Sequence, residues 1–173
     1  MFKSKCFPEM DPFLQKLEEV LVKLPNNPKP SCKGFYLSDY DQTTNIMIVE
    51  EIGVVLREKK HKYLDYVSKK VTQTLLFKVN SSRELFRRNL GDAPIGSVFS
   101  SGYCVAVSGH VSEIDEAIAF LWLIARHFVI SRKGIVMLPN FPLFFEEFID
   151  ICKELEKKWV LKNPWIKAIL AIF

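Results

Sequence analysis

Histidines, cysteines and adjacent carboxylates are the residues of this chain whose types could do chemistry. His61, His110 and His127 do not have HxxxH or a similar metal-binding spacing, and the four cysteines form no CxxC pair. Ser108 stands two positions before His110, which suggests a nucleophile and its base. No GxSxG motif surrounds the two residues, and side chains at such a strand end point apart. We therefore predict no metal site and no catalytic serine.

The remaining reactive groups also argue against an enzyme. Glu50-Glu51 and Glu146-Glu147 are neighbours in sequence, so their side chains do not converge as an acid–base pair does. Cys104 lies within an apolar run, which is typical of a buried, inert thiol. The chain has neither GxxxxGK[ST] nor GxGxxG, the glycine-rich loops that hold phosphates. We predict a non-enzymatic protein with no cofactor.

The composition is that of a globular protein. Of 173 residues, 49% are hydrophobic and 25% are charged, and 14 Phe against 7 Gly means that much aromatic surface must be packed. The four cysteines are far apart in sequence, and the N-terminus lacks the apolar segment of a secretory signal. The longest uncharged apolar run, residues 117–125, is half of the roughly 20 residues that a membrane span needs. We therefore expect no membrane span and an intracellular location in a reducing compartment, the nucleus or the cytoplasm.

Positive charge is concentrated in the middle of the chain. The net charge is +4, but residues 57–90 hold ten Lys and Arg against three acids, a local charge of +7. Such a segment attracts phosphate or an acidic partner, although a solvated helix face has the same composition. The candidate phosphate contacts are Lys59, Lys60, Lys62, Arg83, Arg87 and Arg88.

Periodicity predicts the elements that must position these residues. Apolar residues at helical steps predict a helix over residues 12–24 with Asp11 as its N-cap, followed by a proline-rich connector to residue 30. Three apolar runs within residues 34–56 predict strands. The next segments are predicted as a basic helix at 59–71, a strand at 72–79 and a short helix from Ser81 or Ser82 to Asn89.

The second half of the chain begins with a predicted hairpin. Strands at 95–99 and 103–108 flank the turn 100–102, which would place Phe99 on the same face as Tyr103. Ser112 and Asp115 form a capping-box pattern at the start of a helix that reaches residue 128. A strand at 134–138, a helix at 141–161 capped by Asn140, and a last apolar element after Asn163 complete the order.

This order of elements predicts an α+β fold with a largely antiparallel sheet covered by helices. It could contain a βα(β)nα repeat with a helical C-terminal extension. We expect one domain over residues 1–173, with an N-terminal helix and connector at 1–30, the sheet core at 31–132, and a strand and helices at 133–173.

The hairpin resembles part of a known DNA-binding repeat. Phe99-Ser100-Ser101-Gly102, Asn45-Ile46 at the head of a strand, and residues 134–148 resemble motifs of the TATA-binding protein family. That resemblance implies a nucleic-acid-associated, transcription-factor-like module within a larger assembly, with DNA as its partner. Phe99 would be the wedge between base steps and Asn45 a groove contact, while Tyr103 stands where the family has Lys.

A second resemblance points to a small-ligand domain. Residues 106–119, AVSGHVSEIDEAIA, resemble the closing strand and helix of the heme-binding HbpS/GlcG-like family and the end of GAF-type domains. That resemblance implies a ligand pocket and an oligomer.

The excess of apolar helix surface supports a third hypothesis, a protein-interaction or scaffold subunit without nucleic acid. Exposed apolar patches mark partner sites, so we expect a protein partner or a second copy of the chain. The alternative is that these surfaces pack on each other within the monomer. The candidate partner contacts are Trp122, Trp159, Trp165 and Phe173.

Overall fold

A computed structural model describes residues 1–92, 94–131, 145–159 and 163–173 of the chain. The helices are α1 (Asp11–Lys23), α2 (Lys60–Leu76), α3 (Ser82–Arg87), α4 (Ser112–Ser131), α5 (Phe145–Trp159) and α6 (Pro164–Leu170). The strands are β1 (Gly34–Asp41), β2 (Ile46–Gly53), β3 (Ser97–Ser100) and β4 (Tyr103–Ser108). The predicted α+β class, with an antiparallel sheet and a helical C-terminal part, is confirmed.

The four strands form one antiparallel sheet in the order β2-β1-β4-β3. β1 pairs with β2 through a tight connection, so that Asp41 faces Ile46. β1 also pairs with β4, with Tyr36 opposite Ser108, although residues 42–102 lie between these strands. The long connection through α2 and α3 therefore places β4 of the second hairpin along the edge of β1 that β2 does not occupy.

Helices cover both faces of the sheet, because side chains alternate between the faces along each strand. On one face, Val105 and Val107 join the main core with apolar residues of α1, α4, α5 and α6. On the other face, Cys104 and Ala106 pack with apolar residues of α2. The alternation along β4 thus explains why this strand is buried on both sides.

The C-terminal helices pack against α4 rather than against the sheet. Phe148 and Cys152 of α5 and Ile166 and Ile169 of α6 are completely buried in the main core. Asn163 caps α6, because its side-chain oxygen accepts a hydrogen bond from the backbone N–H of Trp165 at 2.9 Å. The predicted break at Asn163 is confirmed, and the apolar end of the chain forms a short helix.

The first predicted helix is confirmed, but its cap is not. α1 covers Asp11–Lys23 and follows a 3-10 turn, Pro8–Met10. Asp11 is the first helical residue, and its carboxylate accepts a hydrogen bond from the backbone N–H of Ser4 at 2.9 Å. The carboxylate predicted to cap the helix therefore anchors the segment before it.

The strand predicted at residues 72–79 is wrong, because α2 continues to Leu76. Thr72, Thr74 and Val79 gave this stretch a high strand propensity. Val67, Val71 and Thr74 are nevertheless buried at helical steps, so tertiary packing overrides propensity here.

The three runs predicted as strands between residues 34 and 56 form two strands. β2 continues through Glu50 and Glu51 instead of breaking there. Glu50 is accommodated because Ser4 Oγ and the backbone N–H of Lys5 donate hydrogen bonds to its carboxylate. The N-terminal segment thus supplies partners for a carboxylate that would otherwise be buried unpaired.

The second hairpin has a two-residue turn instead of the predicted three-residue turn. Ser100 pairs with Tyr103, and the turn residues Ser101 and Gly102 have φ angles of 52° and 85°. A one-residue change in the turn moves every side chain of one strand to the opposite face. Phe99 therefore shares a face with Cys104 and not with Tyr103.

The capping-box prediction at α4 is also corrected. Ser112 is the first helical residue, and the Asp115 carboxylate accepts a hydrogen bond from the backbone N–H of His110 at 2.9 Å. The strand predicted at 134–138, the cap at Asn140 and the first part of the helix at 141–161 lie outside the described residues.

Candidate ligand-binding cleft

A cleft opens at the end of the sheet where β4 finishes, between the N-terminal half of α2 and the start of α4. Its volume is about 320 Å³, at the lower end of the range for small-molecule sites. One stripe of α2 forms a wall, because positions three and four residues apart lie on the same side of a helix. The lining residues are Lys29, Lys59, Lys62, Tyr63, Tyr66, Lys70, Pro94, Ser108, His110, Ser112 and Asp115.

Positive charge dominates this lysine-lined cleft. Four lysines line it against one carboxylate, Asp115, which gives a formal charge of +3 without His110. The Nζ atom of Lys29 donates to the carbonyl oxygens of Gly109 and His110 at 3.3 and 3.2 Å, which fixes that ammonium at the rim. Lys62 Nζ lies 5.5 Å from the ring centre of Tyr66, a cation–π distance. The lining therefore favours an anion.

His110 is the unusual group of the cleft. Its side chain is 6% exposed, and neither ring nitrogen has a hydrogen-bond partner among the residues that the structure describes. Burial lowers the pKa of His110, and Lys29 lowers it further, while Asp115 partly opposes the shift. A neutral imidazole has one N–H donor and one acceptor nitrogen. Both ring nitrogens are buried from solvent, so a ligand in the cleft would reach them only after the surrounding side chains moved.

The floor of the lysine-lined cleft is a buried ion pair. Lys70 Nζ lies 3.3 Å from Asp115 Oδ2 and donates to the carbonyl oxygen of Val107. Because Asp115 also accepts the backbone N–H of His110, its carboxylate is occupied on both oxygens. The negative charge in the cleft is thus neutralised by Lys70, and Lys29, Lys59 and Lys62 remain to face an anion.

The start of α4 lies at the same place. Ser112 opens this 20-residue helix and lines the lysine-lined cleft. The first turn of an α-helix carries N–H groups without intrahelical partners and the positive end of the helix dipole. This end of the helix adds to the positive electrostatic potential that the lysines produce in the cleft.

A second hollow of about 310 Å³ lies beside the lysine-lined cleft. The two share Lys29, Lys59 and Tyr63, but the second is lined by the apolar side chains of Val54, Val55 and Leu56. We call it the apolar hollow. A charged compartment and an apolar one therefore lie side by side at this end of the sheet.

The two compartments are suited to binding and show no activated nucleophile among the described residues. Cys32 lines the apolar hollow, but burial raises the pKa of its thiol, and the thiol donates to the carbonyl oxygen of Gly34 at 3.2 Å. A protonated thiol is a poor nucleophile. No group of three or more His, Cys, Asp or Glu side chains in the described ranges is arranged to hold a metal ion.

The residues predicted to contact DNA through the sheet are dispersed. Phe99 is half-buried and packs with the apolar cluster under α2. Asn45 is exposed in the β1–β2 connection, where its Oδ1 accepts the hydroxyl of Tyr40 at 3.0 Å. Tyr103 packs on the opposite face, against the main core. The described structure does not bring these three side chains together.

The predicted phosphate contacts divide between the cleft and other ion pairs. Lys59 and Lys62 line the lysine-lined cleft. Three of the other predicted contacts form ion pairs with acidic residues: Lys60 with Glu51 at 2.6 Å, Arg83 with Glu116 at 2.7 Å and Arg88 with Glu84 at 3.1 Å. Arg87 is exposed at the end of α3.

The predicted partner contacts lie mostly in or near the core. Trp122 is 0% exposed, and its indole N–H donates to Asp39 at 2.9 Å, so the prediction of a surface contact is wrong for this residue. It is buried because α4 is covered by the sheet on one side and by the N-terminal segment and α1 on another. Phe173 is half-buried against Phe13 and Phe148. Trp165 is half-buried as well, and the side chain of Trp159 lies outside what the structure describes.

Sequence reasoning found only part of the lysine-lined cleft. The sequence suggests Ser108 and His110 only as a nucleophile and its base, and not as the lining of a binding site. Lys29 and Tyr66 were not singled out, because a lysine in a proline-rich connector and a tyrosine on a basic helix carry no motif. The signal that could have found the cleft is the helical spacing of Lys59, Lys62, Tyr63, Tyr66 and Lys70.

No family model, curated protein or solved structure matches this chain. Among the residues described, no helix has the length and apolarity needed to cross a membrane.

Proposed function

We propose that this protein is a non-enzymatic binding protein that holds a small organic anion in the lysine-lined cleft. The observation that carries the proposal is the grouping of Lys29, Lys59 and Lys62 at one cleft whose lining carboxylate, Asp115, is already paired with Lys70. An anion in the cleft would be bound by the ammonium groups, because both nitrogens of the His110 ring are buried away from the open space of the cleft. Charge-assisted hydrogen bonds from ammonium groups would supply most of the affinity.

The test is a titration of the protein with inorganic phosphate and with acetate, followed by calorimetry and by amide chemical shifts. We expect shifts at residues 59–70 and 108–115. The variant Lys59→Gln/Lys62→Gln should weaken binding at least tenfold, because both residues line the cleft. Both side chains are exposed, so the variant is expected to fold. The matched control is Lys157→Gln/Lys158→Gln, which removes two exposed lysines of α5. Equal effects of the two variants, or shifts elsewhere, would overturn the proposal.

The nucleic-acid hypothesis is the second candidate, and the exposed cations Lys59, Lys62 and Arg87 favour it. Both faces of the sheet are covered by helices, so a nucleic acid would contact this basic surface rather than the sheet. Its test is binding to labelled duplex and single-stranded DNA across a salt series. Phosphate contacts make the affinity fall with salt at a log–log slope near −0.9 per contact for duplex DNA. No binding at low salt would remove this hypothesis.

A further inference from the structure

The apolar hollow narrows the chemistry of the ligand. It lies next to the lysine-lined cleft and shares Lys29, Lys59 and Tyr63 with it, so one molecule of moderate size can reach both. Val55 forms a buried part of its wall, and Leu56, which also lines it, is 56% exposed. Large exposed apolar side chains beside a charged site are typical of a surface that a ligand covers.

The charges around the apolar hollow fit the same ligand. Lys29, Lys33 and Lys59 line it, and no carboxylate does so among the residues described. An apolar group with no charge would gain nothing from these cations, and a small inorganic anion would leave Val54, Val55 and Leu56 uncovered. Both features are used only by a molecule with an anionic head and an apolar body.

On the basis of the function proposed above, we propose that the ligand is an amphipathic organic anion. Its anionic head lies in the lysine-lined cleft against Lys59 and Lys62, and its alkyl or aryl body lies in the apolar hollow against Val55 and Leu56. The two volumes, about 320 and about 310 Å³, are each at the lower limit of ligand sites, and together they suit one such molecule.

The experiment uses the full chain and straight-chain carboxylates from acetate to octanoate, with inorganic phosphate as the comparison that has an anionic head and no apolar body. Each buried methylene contributes about 0.8 kcal/mol, so we expect the Kd measured by calorimetry to fall about fourfold per methylene. Lys59→Gln/Lys62→Gln should weaken every member of the series by a similar factor, because it acts on the head.

A second pair of variants tests the apolar hollow. Leu56→Gln should weaken octanoate about tenfold and leave acetate unchanged, because it acts only on the body of the ligand. Leu76→Gln is the matched control, since Leu76 is 69% exposed at the far end of α2. Both variants replace an exposed leucine, so neither is expected to unfold the protein.

The outcomes separate this inference from the proposed function. If acetate and phosphate bind at the cleft but affinity does not rise with chain length, the proposed function stands and the inference fails. If none of these anions binds, both fail. A rise with chain length that Lys59→Gln/Lys62→Gln leaves unchanged overturns the inference, because the head would then play no part. Binding to phosphatidylglycerol vesicles without binding to free octanoate would also overturn it, in favour of a membrane-borne ligand.

Discussion

Lys70 of α2 and Asp115 of α4 form an ion pair across the end of the sheet, with 3.3 Å between Nζ and Oδ2 and with side chains that are 1% and 4% exposed. The pair joins the two helices that cover opposite faces of the sheet. Burial lowers the pKa of Lys70, and the charge and hydrogen bond of Asp115 oppose this shift. The charged form of Lys70 is therefore stabilised mainly by Asp115.

A double-mutant cycle should show strong coupling in this pair. Lys70→Met leaves the Asp115 charge buried without its partner, and we expect a loss of about 3–5 kcal/mol in the free energy of unfolding. Asp115→Asn removes the negative charge beside the Lys70 ammonium, but the Asn side-chain oxygen can still accept the hydrogen bond from the backbone N–H of His110. The double variant should cost at least about 1 kcal/mol less than the sum of the two. Additive losses in urea denaturation would mean that the pair contributes no specific interaction.

The stability of the protein should fall below pH about 6.5 because of His110. Burial first, and Lys29 second, lower the pKa of His110 in the folded protein, and Asp115 opposes them. The unfolded chain binds a proton near pH 6.5, while the folded imidazole stays neutral. The unfolded state therefore binds more protons as the pH falls, and the free energy of unfolding decreases by up to about 1.4 kcal/mol per pH unit.

The difference between His110→Asn and the wild type, measured by urea denaturation from pH 5 to pH 8, isolates this contribution from that of the carboxylates. The variant should lose less stability than the wild type as the pH falls. His61→Asn is the matched control, because His61 is exposed on α2. Parallel pH profiles of the wild type and His110→Asn would contradict the prediction.

The elements of the fold could be predicted where local pattern and packing agree. α1 and the start of α4 have apolar residues at helical steps, and both helices form as expected. The end of α2 could not be predicted, because the β-branched residues Thr72 and Thr74 favour a strand locally. The helix forms there because it buries Val71 and Thr74, which a local sequence pattern cannot show.

The candidate site was less predictable than the fold, because its parts are distant in sequence. Lys29 lies in the connector after α1 and His110 lies 81 positions later, yet the ammonium of one contacts the carbonyl of the other. No motif joins them, and only the pairing of β1 with β4 brings them together. The residue types predict a binding role, which stays a prediction, and the place of the candidate site could be found only from the three-dimensional structure.

Phe99→Ala should reduce stability rather than DNA binding. The ring is half-buried against Val67, Val71 and Cys104, so its removal should cost about 1–3 kcal/mol in the free energy of unfolding, less than for a fully buried Phe. Phe86→Ala is the control, since Phe86 is 75% exposed and its loss should cost at most about 0.5 kcal/mol. Urea denaturation measures both. A wedge residue would instead give unchanged stability and weaker binding to duplex DNA.

The turn between β3 and β4 should respond to substitutions according to backbone conformation alone. Ser101 and Gly102 both have positive φ angles, as a type I′ turn requires. Ser101→Asn should raise the free energy of unfolding by about 0.5 kcal/mol, because Asn tolerates the left-handed region better than Ser. Gly102→Ala should lower it by about 1 kcal/mol. The nearest atoms to the new Cβ are 3.9 Å away, so this cost is conformational and not steric.

Gly109→Ala provides the contrasting case. Its new Cβ would lie 2.5 Å from the Cβ of Phe35, so the backbone must shift and the loss should exceed that of Gly102→Ala by several-fold. Urea denaturation of the three variants ranks them. If Gly102→Ala proved as harmful as Gly109→Ala, the cost at Gly102 would not be conformational alone, which would contradict the prediction.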